Sequence, residues 1–297
     1  MRLLVTGGSG FLGGYVLDEA RRRGYEVVAL TRSDTAAGAV TKHGAEPLPG
    51  DFDDPAALPG VFSSARCSSL LNLASLGFGH APAIVAAARV AGIDRAVFVS
   101  TTAVATRLPA RSKQVRLDAE WQIRESGLKW TIVRPTMIYG APGDRNLSRL
   151  LPVLARVPIL PVPGGGQHLQ QPVHVADVAD ALLSAAEEPA TAGSTYDVAG
   201  PEPFPFAELL RISARAVGSR TRLVPVPLAP VLAATRCYER LTAHPRIHAE
   251  QIQRLAEHKA FAIDDAARDL GFAPRPFADG IMIEARALGL AGPGIPQ

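Results

Sequence analysis

The amino-acid sequence predicts an α/β protein built on a doubly wound parallel sheet. Two observations carry this prediction. Short apolar runs suited to buried parallel strands alternate with helical stretches through the first half of the chain. A glycine-rich turn also joins the first apolar run, residues 3–6, to a helical stretch. No internal repeat or low-complexity linker divides the 297 residues.

The composition is typical of a soluble globular protein, with 47% hydrophobic and 20% charged residues. The formal net charge is +3, and the basic residues are scattered except for the run 21–23, so no nucleic-acid partner is expected. Cys67 and Cys237 fit no metal-binding spacing, so no metal site is predicted. No apolar run approaches a membrane span and the N-terminal strand leaves no room for a signal peptide, so we expect a cytoplasmic protein.

Three glycines, Gly7, Gly10 and Gly13, follow the first strand in the pattern G-x-x-G-x-x-G. Such a turn needs glycine because the backbone must turn tightly and approach a pyrophosphate with no Cβ in the way. The helix that begins near Phe11 and Leu12 then offers unpaired N–H groups and the positive end of its dipole to the phosphates. The pattern predicts that these five residues bind a dinucleotide.

The end of the second strand distinguishes between two dinucleotides. An acidic residue there would bind the ribose 2′-hydroxyl of NAD. The sequence instead places Thr31 and Arg32 at this point, and a guanidinium suits a 2′-phosphate, so NADP is favoured over NAD. Asp34 follows slightly later, and a loop that brought it to the ribose would favour NAD.

Acidic and aromatic residues after the third strand give an expected adenine site. This strand is predicted to end at Asp51, whose carboxylate would accept a hydrogen bond from the adenine amino group, while Phe52 would pack beside the ring. The neighbouring Asp53 or Asp54 is predicted to cap a helix that has Pro55 at its first position.

Small and hydroxyl-bearing residues follow the next two strands. Ala74 and Ser75 end the fourth strand, "SSLLNLAS", where a cofactor would lie against it. A helix with a turn at Gly92 then leads to a fifth strand that ends in residues 100–102. Because the carboxyl ends of parallel strands lie at one edge of the sheet, Ser100 is expected beside the cofactor.

Seven segments, correct in order and spacing, carry a resemblance to a known family. They are "TGGSGFLG" (6–13), "GDFDD" (50–54), "NLAS" (72–75), "VFVSTTAV" (97–104), "TIVRPTMIYG" (131–140), "PVHVADVADAL" (172–182) and "AIDDAARDLGFAPRPFADGI" (262–281). With them the chain resembles the extended and atypical short-chain dehydrogenase/reductases, the NAD-dependent epimerase/dehydratase group in particular. The resemblance implies a Rossmann domain in residues 1–170, a mainly substrate-binding region in 171–297 from which one strand and helix return to the sheet, and a homodimer.

The resemblance also implies an activity, that of an NAD(P)-dependent epimerase, dehydratase or reductase acting on a nucleotide-activated sugar or a similar small molecule. Arg134 and Pro135 match the turn beside the carboxamide end of the nicotinamide. Substrate contacts are expected after the fourth strand and in two later loops. The candidates are His80, Asn146, Arg149 and Gln170, with Arg145 beside them.

The segment 100–120 contains no tyrosine, although the family uses a Tyr-x-x-x-Lys pair there to move a proton. If Glu120 is matched to the acidic residue that the family often has four positions after the lysine, the pair becomes Ser112 and Arg116. If Lys113 is matched to the lysine, Pro109 replaces the tyrosine. The first alignment is favoured because the helix that follows then needs no insertion.

These replacements change the chemistry that the segment can perform. A serine hydroxyl is far harder to deprotonate than a phenol, and an arginine keeps its charge but cannot lose a proton near neutral pH. Thr102 still matches the hydroxyl position at the end of the fifth strand, and Tyr139 is a phenol expected on the substrate side of the nicotinamide. The expected catalytic set is therefore Thr102, Ser112, Arg116 and Tyr139.

The substrate region contains two predicted helices. The first follows a strand and a turn, and its residues Phe206, Leu209, Leu210 and Ile212 are expected to face the core. The proline-containing apolar segment 223–241 is interpreted as a loop and a helix packed on the core, with association with a membrane as the lesser alternative.

Two classes of function stay open at this point. One is an enzyme with a nonstandard acid/base group, which the complete substrate region favours. The other is a catalytically silent protein that binds NADPH for structural or regulatory purposes, which the missing tyrosine favours. Atypical members that resemble this chain include an accessory subunit of respiratory complex I and redox-sensing regulators.

Overall fold

The computed structural model describes residues 1–108, 111–140, 143–144, 146–242, 245 and 248–292. The chain forms two compact units, each assembled from three segments. The first unit comprises Met1–Thr136, Val175–Val198 and Ala262–Ala273, and the second comprises Met137–His174, Ala199–Phe261 and the described residues from Pro274 onwards. Residues 137–170 thus lie in the second unit, although the sequence assigned them to the Rossmann domain, and residues 175–198 return to the first.

The secondary structure alternates strands and helices through the first unit. The strands are β1 (Arg2–Thr6), β2 (Glu26–Thr31), β3 (Glu46–Pro49), β4 (Ser69–Asn72), β5 (Arg95–Val99), β6 (Lys129–Pro135), β7 (Ile138–Tyr139), β8 (Ile159–Pro163), β9 (Leu169–Gln170), β10 (Val173–His174), β11 (Ser194–Val198), β12 (Phe204–Pro205) and β13 (Arg222–Val226). The helices are α1 (Phe11–Arg22), α2 (Asp34–Lys42), α3 (Leu58–Ser64), α4 (Ala81–Val90), α5 (Arg111–Arg124), α6 (Leu147–Leu154), α7 (Val175–Glu187), α8 (Phe206–Ala216), α9 (Leu228–Leu241), α10 (Ala249–Leu255), α11 (Asp264–Leu270) and α12 (Phe277–Ala287).

The central sheet of the first unit has seven strands in the order β11-β6-β5-β4-β1-β2-β3, and each neighbouring pair is parallel. Helices connect the strands, which confirms the predicted doubly wound parallel sheet. The strand order reverses between β1 and β4. In open sheets of this kind, ligands bind outside the carboxyl ends of the strands at that point.

Both faces of this sheet are covered, as its continuously apolar strands require. On one face the strands pack against α3, α4 and α5. The members of this cluster include Leu4, Leu70, Phe98, Ile132, Phe62, Ile84, Ala88 and Ile123. α1 and α7 pack against each other, and α7 also contacts β4, β5 and β6. These layers bury the body of the sheet, so the carboxyl edge is where polar chemistry can be placed.

The start of α3 differs from the sequence prediction. The expected cap at Asp53 or Asp54 was wrong, because α3 begins only at Leu58. The carboxylate of Asp54 instead accepts a hydrogen bond from the backbone N–H of Ala57 at 3.3 Å and closes a turn before the helix. β3 also ends earlier than expected, at Pro49, so that Asp51 lies in the loop that follows it.

The second unit is built on three short ladders, of which β7 with β10 and β8 with β13 are parallel and β9 with β12 is antiparallel. Its core includes Tyr139, Leu147, Leu151, Leu154, Leu209, Phe277 and Ile281. Leu209 and Leu210 of α8 are buried as expected, while Phe206 and Ile212 are partly buried against the same core. The helix predicted in 223–241 is α9, and none of its residues is fully buried.

Two carboxyl groups of the second unit are buried together. Glu284 of α12 is fully buried, and Asp144, which precedes α6, is nearly so. Burial raises the pKa of Glu284 to about 9, and the negative charge of the Asp144 carboxylate adds to this effect, while the backbone of Gly140 opposes it. Glu284 is therefore protonated at neutral pH.

We expect the substitution Glu284→Gln to change how stability depends on pH. The folded-state pKa of Glu284 lies above its ordinary value of 4.5, so its contribution is fully present below pH 4.5 and is lost as the pH rises through about 9. Glutamine stays neutral at both pH values and therefore removes this loss. Urea unfolding at pH 5 and at pH 8.5 should show the variant gaining stability over the wild type only at the higher pH.

The matched control is Glu202→Gln, at an exposed carboxylate of the same unit. It should shift stability equally at both pH values. An equal effect of Glu284→Gln at the two pH values would contradict the assignment of a protonated Glu284.

Candidate functional site

The turn between β1 and α1 accepts only glycine at two positions. Gly7 has φ +71°, and a Cβ added to it would lie 2.8 Å from the backbone nitrogen of Ala74. A Cβ added to Gly13 would collide with the carbonyl of Gly8. The backbone N–H of Gly10 donates to the carbonyl of Gly7 at 3.1 Å and closes the turn. The predicted tight turn is therefore present, and the close approach of backbone segments is a further reason for glycine at these two positions.

The N-terminus of α1 is open to an anion. Gly10 is the capping residue and no side chain caps this end, so the first turn, with Phe11 and Leu12, keeps N–H groups that point out of the helix. Together with the cradle left by the missing Cβ atoms, these groups fit the pyrophosphate of a dinucleotide.

A buried polar chain holds the loop after β4 beside this turn. The Thr6 hydroxyl donates to Oδ1 of Asn72 at 2.7 Å, and the Asn72 amide donates to the carbonyl of Ala74 at 3.0 Å. The Ser75 hydroxyl then accepts from the N–H of Gly77 at 3.2 Å. The structure thus brings Ala74 and Ser75 next to the glycine turn. The sequence interpretation did not single out Asn72, although a polar residue ending an apolar strand was the available signal.

Arg32 stands alone at the end of β2. Thr31 is buried and its hydroxyl donates to the carbonyl of Leu48 at 3.4 Å, whereas Arg32 is exposed and makes no ion pair with the described residues. Ser33 caps α2 by accepting from the N–H of Ala36, and Asp34 is the first, exposed residue of that helix. A guanidinium without an internal carboxylate partner remains available to an external anion.

The expected adenine-side residues group with a candidate substrate residue. The backbone N–H of Gly50 donates to the carbonyl of Thr31 at 2.9 Å, which brings the loop after β3 beside the end of β2. In that loop the exposed carboxylate of Asp51 accepts from the N–H of Asp53. The Phe52 ring stacks on His80 with a centroid distance of 5.4 Å and an interplanar angle of 27°.

Phe78 completes this aromatic group, at 6.4 Å from the His80 ring and 76% exposed. The sequence interpretation missed Phe78, and its position between two glycines in "LGFGH" was the only signal.

α5 carries Ser112 and Arg116, the pair that the favoured alignment matches to Tyr-x-x-x-Lys. It begins at Arg111, so Ser112 lies in its first turn. The guanidinium of Arg116 donates to the Ser112 carbonyl at 3.1 Å and lies against Gly77, where an added Cβ would be 3.0 Å from Nη2. Arg116 therefore reaches the loop after β4.

Lys113, the basic residue of the second alignment, is held elsewhere. Its ammonium donates to the carbonyl of Thr106 at 2.5 Å. Pro109, which would replace the tyrosine in that alignment, lies outside the described residues. The described contacts thus place Arg116, and not Lys113, against the loop that follows β4.

A buried ion-pair network ties α5 to the sheet. The nearly buried carboxylate of Glu120 accepts from the Ser100 hydroxyl at 2.6 Å, from both Nε and Nη2 of Arg134, and from Arg124 at 3.4 Å. The hydrogen bonds with Glu120 raise the pKa of Arg134, and burial raises the pKa of Asp197, its neighbour on β11. The polar atoms of Ser100 and Arg134, both expected to bind the cofactor, are thus committed to this network.

The ends of β5 and β6 are joined by a hydroxyl. Thr102 is buried, and its hydroxyl donates to the carbonyl of Pro135 at 3.3 Å. The neighbouring Thr101 accepts from the N–H of Ala103 and starts a short 3-10 turn, Thr102–Ala105. In this state Thr102 offers a ligand only the acceptor lone pairs of its oxygen.

Two candidates in the second unit are buried. Tyr139 is fully buried and packs edge to face on Phe277 and His174, with centroid distances of 5.1 and 5.4 Å. This burial gives Tyr139 a packing role, and its expected place in the catalytic set stays a prediction. Gln170 is also buried, and its amide donates to the carbonyl of Glu257 at 3.2 Å.

The loop residues around α6 are exposed. Asn146 precedes the helix, with its N–H bonded to the Asp144 carboxylate at 2.5 Å, and Arg149 lies one turn further on. Arg145 lies outside the described residues. Their predicted role in substrate binding stays a prediction.

The glycine turn, the open helix N-terminus and the carboxyl edge of a parallel sheet define a Rossmann-type dinucleotide-binding protein of the extended short-chain dehydrogenase/reductase class. A family model described as NAD(P)H-binding matches residues 7–189, and the chain belongs to this family. No helix in the described part of the chain is long and apolar enough to span a membrane.

Three curated relatives differ in what their names describe. The chain is 29% identical to the 4-hydroxy-2-methyl-3-oxo-4-farnesyl-3,4-dihydroquinoline-1-oxide ketoreductase of Stigmatella aurantiaca, over 99% of this chain and 98% of that protein. It is 29% identical to the ceramide reductase of Caulobacter vibrioides, over 77% of this chain and 75% of that protein. It is 25% identical to the photosystem II assembly factor Ycf39 of Trieres chinensis, over 77% of this chain and 73% of that protein.

The fold is also found among solved structures. A UDP-glucose 4-epimerase from Thermotoga maritima, crystallised with UDP-glucose, is similar with a TM-score of 0.77, over 97% of this chain and 99% of that one. The sequence identity is 18%, so this similarity extends to the fold alone.

We expect Gly13→Ala to disrupt the nucleotide site. The new methyl group would meet backbone atoms, which cannot swing aside as a flexible side chain can, so we expect a loss of at least about 2 kcal/mol of stability and of NADPH binding. The control is Gly38→Ala in α2, where nothing lies within 4 Å of the added Cβ. It should stabilise the protein by ~0.5–1 kcal/mol. Thermal unfolding with and without NADPH measures both, and a harmless Gly13→Ala would contradict the close-packed turn.

Proposed function

We propose that the protein is an NADPH-dependent reductase that converts a ketone group of a small hydrophobic molecule to an alcohol. The observation that carries this proposal is the relative that matches along nearly the whole of both chains, which is a ketoreductase whose named substrate bears a farnesyl group. The ceramide reductase is a second relative that reduces a lipid. The earlier expectation of a nucleotide-activated sugar has support only from the fold.

The missing phenol favours reduction of a ketone over epimerisation. Epimerisation of a sugar begins by removing a proton from an alcohol, which needs a general base such as a tyrosinate. Reduction needs the opposite, because the alkoxide that forms is itself a strong base that water or a serine hydroxyl can protonate. Ser112 and Arg116, which make poor bases, are therefore better suited to the reductive direction.

Each residue of the proposed site then has one task. The bound nicotinamide supplies the hydride. The charge of Arg116 would stabilise the negative charge that develops on the carbonyl oxygen, and Ser112 would relay a proton from water. Thr102 would hold the end of β5 against β6, and Ala74 and Ser75 would support the cofactor at the end of β4.

The competing proposal is a catalytically silent NADPH-binding protein. The similarity to an assembly factor favours it, as does the absence of a tyrosine from residues 100–120. Both proposals require the glycine turn, so cofactor binding alone does not separate them. Turnover does.

The decisive experiment is NADPH oxidation with a long-chain 3-oxoalkanoate and, separately, with a UDP-hexose. We expect turnover with the first only. Arg116→Ala should lower kcat by about 100-fold or more while leaving the Kd for NADPH within a few-fold, because its charge acts on the developing oxyanion. Lys113→Ala is the matched control and should keep most activity.

Loss of activity in Lys113→Ala, with Arg116→Ala active, would support the second alignment and contradict ours. Tight NADPH binding with no turnover of a broad panel of ketones would favour the silent protein.

Preference for NADPH is proposed to rest on Arg32. We expect Arg32→Ala to raise the Kd for NADPH by between about ten- and a hundredfold, because hydrogen bonds to charged groups contribute ~1.5–3 kcal/mol. The Kd for NADH should stay unchanged. Calorimetric titration with both nucleotides checks this. Asp34→Ala is the control, and a selective loss of NADH affinity in that variant would instead support the NAD alternative.

A further inference from the structure

Within the described part of the chain, the outer face of α9 is exposed to solvent. None of its 14 residues is buried, although most of them are apolar. Five positions are half-buried and mark the side that rests on the second unit. They are Leu228, Val231, Leu232, Thr235 and Glu239. An ordinary surface helix would be polar on the side opposite to these positions.

The opposite side of α9 is apolar. With about 100° of rotation per residue, Pro230, Ala234, Cys237 and Leu241 align in one outward stripe, and all four are exposed. We call these four residues the apolar stripe. Leu241 is 81% exposed, the highest value among the large hydrophobic side chains of the described chain that face solvent.

Basic residues border the apolar stripe. Arg236 and Arg240 lie along one edge of the exposed face, and Arg220 and Arg222 precede the helix on and before β13. The one acidic residue of segment 220–241, Glu239, is turned towards α10, where its carboxylate accepts from the N–H of Ala249 and bonds to His248 at 2.9 Å.

Net charge distinguishes the possible occupants of this face. Segment 220–241 holds four arginines and one glutamate, a formal charge of +3, which equals the net charge of the whole chain. The rest of the protein is therefore formally neutral. A second copy of the chain would place two basic faces together and repel, whereas an anionic surface would be attracted.

We propose that α9 docks on the surface of an anionic lipid bilayer. The apolar stripe would enter the boundary between headgroups and acyl chains, and Arg236 and Arg240 would extend to the lipid phosphates. With a length of about 21 Å the helix lies in the plane of the membrane surface. This inference rests on α9 and its charges and not on the proposed reductase activity.

The experiment is flotation of the purified full chain with vesicles of phosphatidylcholine, either pure or mixed with phosphatidylglycerol. We expect binding to the mixed vesicles that weakens with salt. The double variant Arg240→Glu/Leu241→Glu should lower the partition coefficient by about tenfold or more, because it removes one basic and one apolar contact and adds two repelled charges.

The matched control is Arg89→Glu/Val90→Glu. These two residues are likewise the last two of a helix, α4, both are exposed, and Val90 is 67% exposed. The control makes the same change of charge at an equivalent position, so it should keep most of the binding. Far-UV circular dichroism and the thermal midpoint confirm that both variants fold.

Three flotation results would overturn the proposal. The wild type could fail to float with phosphatidylglycerol vesicles, the two double variants could lose binding equally, or Arg240→Glu/Leu241→Glu could float like the wild type. A concentration-dependent dimer that only the α9 variant abolishes would also overturn it, because a second copy would then cover the face. Ketone turnover is measured separately on a water-dispersed substrate. Failure of membrane docking and failure of the proposed reductase activity can therefore be distinguished.

Discussion

The candidate active site depends on one buried carboxylate. Glu120 accepts hydrogen bonds from Ser100 at the end of β5 and from Arg134 at the end of β6, and through them it fixes α5 against the sheet. A buried charge is tolerated only when its hydrogen-bonding capacity is filled, and removing one partner of such a pair destabilises a protein by about 3–5 kcal/mol. The position of α5, and of every side chain it carries, therefore follows from this network.

The helical repeat places the residues that precede Glu120 along the same side of α5, towards the edge of the sheet. Arg116 precedes Glu120 by four residues and Ser112 precedes Arg116 by four, so the three lie along one side of α5. Glu120 anchors this side to the strands, while Arg116 rests against Gly77 after β4. The spacing that suits a phenol and an ammonium in a Tyr-x-x-x-Lys pair here presents a hydroxyl and a guanidinium.

What the sequence predicts well is local. The glycine turn is predictable because Gly7 and Gly13 are required by contacts with residues near in the chain or at the next strand of a regular sheet. The predicted cap of α3 was wrong because Asp54 closes a separate turn before the helix begins. Tyr139 packs on Phe277 and Asp144 lies near Glu284, so each pair joins residues about 140 positions apart. No short sequence pattern indicates such contacts.

Nucleotide binding and catalysis, the two parts of the proposed function, depend on different features of the structure. This difference affects how members of the family diverge. Pyrophosphate binding depends on backbone shape, because glycines without a Cβ and an uncapped helix N-terminus form the site. The chemistry relies on the identity of a few side chains on α5. A chain can therefore exchange its phenol for a hydroxyl and still bind the cofactor. Relatives below 30% identity that include two reductases and an assembly factor are the outcome expected when the scaffold outlasts a particular set of reactive groups.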